Sequence, residues 1–252
     1  DLLDNITTFL PLNGYYEESN EPLMKLAIVG RRNVGKSTLI NTLAKEERVI
    51  VSEVPGTTRD SVDVKFDLNG KQFLAIDTAG LRKKSSINDA VEFYSKIRTE
   101  RAIKRADVVL ILLDVVDGIS DVDKKLGSFI RELIKPCIIV CNKWDLVKNI
   151  GPGEFEKYIG AVLPGLSYAP ISFISALNRE NVVKTIKLAQ DLYEQSDSRV
   201  STSELNNFIK HAMSMHTPGR RKSKVPKIYY GTQVSVRPPT FVLFVNDKSL
   251  FD

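Results

Sequence analysis

The sequence predicts an α/β protein: a mostly parallel sheet covered by helices on both faces, followed by a small α+β region. Three observations carry this. Short continuous apolar runs alternate with amphipathic stretches of helical length from residue 23 onward. The runs are wholly apolar, as strands buried on both faces must be. A polar break at residues 195–199 ends the alternation, and the order after it becomes helix, strand, strand.

The strands are expected at residues 26–29, 73–76, 108–113, 137–141 and 171–174, and the helices at 36–44, 89–104, 121–133 and 182–193. Residues 63–67 alternate polar and apolar before the turn Asn69-Gly70, which reads as an edge hairpin with the next strand. Right-handed crossovers then gather the strand C-terminal ends along one rim, where ligands of such sheets bind. Upstream, residues 1–12 have a helical apolar pattern (Leu2, Leu3, Ile6, Phe9, Leu10) closed by Pro11, and the acidic residues 13–22 form a linker. Residues 23–196 make the main domain. Residues 197–252 hold a helix at 203–215 with Ser203 as its N-cap, a basic loop, and strands 227–236 and 240–245 joined by Pro238-Pro239. So short a helix–strand–strand unit cannot bury both of its faces. It is expected to pack on the main domain or to continue beyond Asp252.

Hydrophobic content of 42% with 27% charge is that of a globular chain, so disorder is not the default. The net charge of +5 is compatible with a polyanionic partner without requiring one. Only Cys137 and Cys141 occur, too few for a disulfide framework. No apolar run approaches the roughly 20 residues of a membrane span. The first residues are acidic where a signal peptide needs positive charge. A cytoplasmic location without membrane attachment is expected.

Directly after the first strand comes Gly30-Arg31-Arg32-Asn33-Val34-Gly35-Lys36-Ser37, then Thr38 in a helical pattern. This matches G-x-x-x-x-G-K-[ST] in its strand–loop–helix context. Phosphate oxygens need several donors converging on one point, and the amides of a tight glycine turn at a helix N-terminus supply them. Lys36 reaches the outer phosphates and Ser37 ligates magnesium. Past the strand 137–141 stands Asn142-Lys143-Trp144-Asp145. The Asp145 carboxylate can accept from guanine N1–H and the 2-amino group together, whereas adenine would leave it unpaired. Ser175-Ala176-Leu177 follows the next strand, where a backbone N–H can meet guanine O6. Asp77-Thr78-Ala79-Gly80 closes the strand 73–76, with Asp77 placed for magnesium and the Gly80 amide for the terminal phosphate. Within Pro55-Gly56-Thr57-Thr58-Arg59-Asp60, Thr58 is favoured over Thr57 to complete the magnesium shell when the third phosphate is present. These motifs point to a P-loop NTPase that takes guanine nucleotides.

Cys137 and Cys141 point the same way along a strand and are read as core residues, and His211 and His216 as surface or packing residues. Trp144 either shields the guanine end or anchors packing. Arg220, Arg221, Lys222, Lys224 and Lys227, and separately Arg82, Lys83 and Lys84, can neutralise RNA phosphates, although a solvated surface is the ordinary reading.

The strings VPGTTRD at 54–60, DTAGLRKK at 77–84, NKWD at 142–145 and KIYYGTQVSVRPPTFVLFVND at 227–247 resemble the Der (EngA) family of Era-type GTPases. Members of that family carry two consecutive G domains and a C-terminal KH-like domain. The resemblance covers nearly the whole chain. It implies that residues 1–12 are the closing helix of an absent first G domain and that 23–196 are the second G domain. Residues 197–252 would be the N-terminal part of a KH-like domain. It implies hydrolysis of GTP to GDP and phosphate by a monomeric switch in large ribosomal subunit assembly, with rRNA as partner. Lys36, Asn33, Thr58 and Gly80 would act in catalysis, Ser37, Thr58 and Asp77 would hold Mg2+, and Asn33 would hold K+.

Two residues depart from the pattern. Leu81 stands where many small GTPases have a water-orienting glutamine, so catalysis must draw on another group. Arg32 stands where the family usually has proline. Two alternatives stay open: an RNA-binding scaffold that binds GTP with negligible hydrolysis, and a tRNA-modification GTPase, whose flanking helical domain is not found. Asn142 and Asp145 disfavour an ATP-dependent kinase.

Overall fold

A computed structural model describes residues 24–46, 49–54, 63–68, 70–76, 90–148, 150–215 and 225–251, with 49–54 and 90–96 described through their backbone. The strands are β1 (Met24–Val29), β2 (Val49–Val54), β3 (Asp63–Leu68), β4 (Lys71–Ile76), β5 (Val108–Asp114), β6 (Cys137–Asn142) and β7 (Ile171–Phe173). They form one sheet in the order β2-β3-β4-β1-β5-β6-β7. β4, β1, β5, β6 and β7 run parallel, while β2 and β3 are antiparallel to their neighbours.

The alternation within each strand sorts side chains into two layers. Leu26 and Ile28, Leu110 and Leu112, and Ile138 and Val140 face α1 (Lys36–Ala44) and a later helix, α5 (Val182–Ser196). Ala27 and Val29, Ile111 and Leu113, and Ile139 face α2 (Ala90–Arg105), α3 (Asp121–Glu132) and α4 (Pro152–Val162). β5 is buried at all seven positions, which explains why it has no polar residue before Asp114. Cys137 and Cys141 lie in the second layer, and burial pushes their thiols up to about 11 and about 12, as the core reading requires.

Three expectations are corrected and one helix is added. The strand at 63–68 is not at the edge: β2 pairs with it along its whole length and takes the edge position. The helix α4 was not anticipated, although Pro152 at its start and buried Phe155 and Ile159 four residues apart carry its pattern. The last helix, α6 (Thr202–Met215), is capped by Ser201 and not by Ser203. The Ser201 hydroxyl accepts from the Glu204 N–H at 3.2 Å while the Glu204 carboxylate accepts from the Ser201 N–H, also at 3.2 Å, which is a capping box. Pro239 already belongs to the last strand, so the turn joining the final two strands is Arg237-Pro238, a cis peptide.

The second region is α6 with the antiparallel pair β8 (Ile228–Val236) and β9 (Pro239–Val245). It docks on the end of α5. The Arg237 guanidinium lies 4.1 Å above the Tyr193 ring of α5 and 3.1 Å from Asp197, the residue that caps it, while within the region the buried Gln233 side chain accepts from the Val200 N–H at 2.8 Å. Packing on the main domain is therefore observed, yet α6 buries no residue fully and β9 is exposed at six of its seven positions. Among the described residues no helix is long and apolar enough to cross a membrane.

Candidate functional site

β1, β5, β6 and β7 are consecutive neighbours, so the segments leaving their C-terminal ends lie side by side. The turn after β1 is shaped by two glycines. Gly30 has φ 147, and a Cβ there would sit 2.5 Å from the Leu112 carbonyl oxygen of β5. Gly35 has φ 100, and a Cβ would lie 2.2 Å from Asn142 Nδ2. Asn33 is left-handed at φ 65, and asparagine tolerates that region better than most residues. The loop closes on α1, whose first residue is Lys36, with Gly35 as N-cap.

Lys36 folds back over its own loop. Its ammonium donates to the carbonyls of Gly30 at 2.7 Å and Arg31 at 2.5 Å. Burial lowers its pKa from the ordinary 10.5 to about 8, partly opposed by the Asp123 carboxylate. The unfolded chain therefore holds this proton more tightly, and between pH about 8 and 10.5 it carries more protons than the folded chain. The ligand-free protein is expected to gain stability as pH rises through that window. The gain from this group is on the order of 3 kcal/mol. Chemical denaturation at pH 7.5 and 10 checks it: Lys36→Met should remove this component of the pH dependence.

Asn142 ties three rim segments together. Its Nδ2 donates to the Val34 carbonyl of the phosphate loop at 2.7 Å, and its Oδ1 accepts from the Ala176 N–H after β7 at 3.0 Å. The residue is 2% exposed, and these partners fix the orientation of its amide. Thr42 of α1 adds a bond to the Ala176 carbonyl at 2.7 Å. The Ala176 amide is thus engaged by Asn142, and the Leu177 N–H is the one in this string without a partner among the described residues.

Asp145 stands in the 3-10 turn Trp144–Leu146, exposed and without a partner among the described residues. Trp144 anchors that turn, with its ring 4.3 Å from Phe173 and 5.7 Å from Phe155. Of its two proposed roles, the packing one is what these contacts describe. Ser37 is exposed at the first turn of α1, Thr38 is partly covered, and Arg32 is exposed. Thr58, Asp77 and Gly80 lie outside the described residues, as do Leu81, the basic run 82–84, His216 and the loop residues Arg220, Arg221, Lys222 and Lys224.

Three acidic residues at the rim were not read from the sequence. Asp114, at the end of β5, pairs with the Lys143 ammonium. Asp117 lies 3.2 Å from the Arg31 guanidinium, which also donates to the Gly118 carbonyl at 3.3 Å. Asp123 is fully buried, closes the capping box of α3 with Ser120, and lies 3.9 Å from Arg31 Nε. The Arg31 side chain is therefore turned to the loop after β5, and its contribution to the phosphate loop in this structure is its backbone. An acid closing a strand whose six preceding residues are all apolar was the available signal for Asp114.

Comparison with known proteins agrees with this arrangement. A family model described as "50S ribosome-binding GTPase" matches residues 25–143. A second, described as "KH-domain-like of EngA bacterial GTPase enzymes, C-terminal", matches residues 199–252. The GTPase Der of Rhodopirellula baltica is 49% identical over 248 residues, covering 98% of this chain and 55% of that protein. The GTPase Der of Fusobacterium nucleatum is 44% identical, covering 99% and 57%. The chain thus spans little more than half the length of these relatives. Among solved structures, Era in complex with MgGDPNP and nucleotides 1506–1542 of 16S ribosomal RNA has a TM-score of 0.51. It is 31% identical, with 68% of this chain and 56% of that chain covered. A P-loop G domain and a KH-like segment in one chain, with likeness to these relatives along nearly all of its own length, make this protein a member of the Der (EngA) family of GTPases.

Proposed function

We propose that this chain binds GTP on the rim of its sheet, hydrolyses it to GDP and phosphate, and serves as a nucleotide switch in large ribosomal subunit assembly. The observation that carries the reading is Asn142, whose one side chain joins the phosphate loop to the strings read as guanine-specific. In the bound state Lys36 exchanges its internal carbonyl partners for phosphate oxygens, and the loop amides and the α1 N-terminus supply the remaining donors. Asp145 and a backbone N–H of residues 175–177 read the base.

Ser37 offers an exposed neutral oxygen of the hard type that Mg2+ accepts, and Thr58 and Asp77 complete the proposed set. The ion's charge offsets that building up on the phosphates. Leu81 cannot orient water, so a second cation held by Asn33, K+, is the proposed electrostatic aid. The exposed, left-handed position of Asn33 at the lip of the loop supports it. Residues 23–196 form the proposed G domain and 197–252 the first part of a KH-like domain, preceded by a closing helix at 1–12 and a linker at 13–22. The rRNA partner rests on the family and on the Era complex, and a monomer in the cytoplasm fits a ribosome-directed switch.

Phosphate release is expected to depend on Mg2+ and to run faster in potassium than in sodium at equal ionic strength. A full-length version should co-sediment with large ribosomal subunits in a nucleotide-dependent way. Tight GTP binding with negligible turnover in both salts would instead establish the scaffold alternative.

A further inference from the structure

Asp114 sits in register with Asn142, one strand over, and is 2% exposed. One carboxylate oxygen accepts from the Lys143 ammonium. The other accepts from the Val116 N–H at 3.0 Å and faces the Asp117 N–H at 3.5 Å. Burial opposes its ionisation, yet the Lys143 ammonium and the two amides outweigh burial and hold the carboxyl below its usual range. A charge this buried persists only when paired. Lys143 is constrained at its other end too. Its backbone is left-handed at φ 67, between clamped Asn142 and the turn that carries Asp145. A lysine a third exposed, if free at its tip, would spread over many rotamers. Here its four-carbon stem is stretched between the Asp145 turn and the end of β5.

We infer that Asp114 is a positioning residue of the purine site, acting through Lys143: it fixes the lysine stem as an apolar surface for the flat face of the base. This rests on the guanine reading above. Asp114→Asn keeps an acceptor for the Val116 amide and removes the ion pair, so it separates positioning from loop structure. GDP affinity is expected to fall at least about tenfold in Asp114→Asn and in Lys143→Met. The double variant should bind no more weakly than Lys143→Met alone, because the two act as one unit. Affinity for inorganic tripolyphosphate, which meets only the phosphate loop, should stay unchanged in Asp114→Asn. Unchanged GDP affinity, additive losses, or an equal loss for tripolyphosphate each overturn the inference. Should either single variant fail to fold for want of its partner, the double variant, which leaves no buried charge unpaired, serves alone; full GDP affinity there also overturns it. A wild-type chain that binds tripolyphosphate but not GDP refutes the guanine reading itself, and this inference with it.

Discussion

Asp145→Asn is expected to weaken GDP binding by roughly a hundredfold to ten-thousandfold, the worth of two hydrogen bonds to a charged acceptor. The same change should improve binding of xanthosine diphosphate. In the proposed binding mode the carboxylate accepts from both N1–H and the 2-amino group of guanine. An amide offers one acceptor and one donor, which suits a base with a carbonyl at that second position. Because Asp145 is exposed and has no hydrogen-bond or ion-pair partner among the described residues, the fold should not register the change. Its thermal midpoint should correspond to a stability within about 0.5 kcal/mol of the wild type. Calorimetric titration with both nucleotides decides the matter, and undiminished GDP affinity would remove Asp145 from base reading.

Gly35→Ala should act on both stability and binding. At φ 100 an alanine is strained, and its methyl carbon would fall 2.2 Å from Asn142 Nδ2. Asn142 cannot yield without losing its bonds to Val34 and Ala176, both buried. Strain plus two broken buried hydrogen bonds amount to about 3 kcal/mol or more of lost stability. The loop amides would be displaced with them, so GDP affinity should drop by at least about a hundredfold. Gly160→Ala in α4, where an added Cβ meets nothing within 4 Å, is the control and should be neutral or mildly stabilising. Thermal melts and GDP titration of the two variants side by side give the comparison. A Gly35→Ala protein that matches the wild type in both would show that the loop can relax around the clash.

The elements legible in the sequence were those that advertise themselves locally. The phosphate loop is one contiguous string, and the strands β1, β5 and β6 are apolar runs that a parallel interior requires. NKWD begins on the last residue of β6, so its place at the rim came with the strand. What escaped the reading depends on neighbours distant in the chain. Asp114 and Lys143 are 29 residues apart and meet only because β5 and β6 pair in the register that sets Asp114 beside Asn142. Arg31 belongs to the phosphate motif by spacing, yet its side chain goes to Asp117 and Gly118, 86 and 87 residues on. β2 was hidden for a related reason. Its residues VIVSEV carry neither a run nor a clean alternation, and only pairing with β3 makes them a strand. Ser201 and Ser203 both fit a cap by type, and Glu204 three residues after Ser201 was the discriminating signal.

The bridge formed by Asn142 limits how such a site can be re-engineered. A single amide fastens the loop proposed to grip phosphates to the turn proposed to choose the base, so on that reading no change at position 142 alters base choice alone. A library built to obtain a protein with an altered nucleotide preference should therefore vary Asp145 and residues 175–177 and leave 142 untouched. Diversity spent on 142 would return proteins weakened towards every nucleoside triphosphate alike.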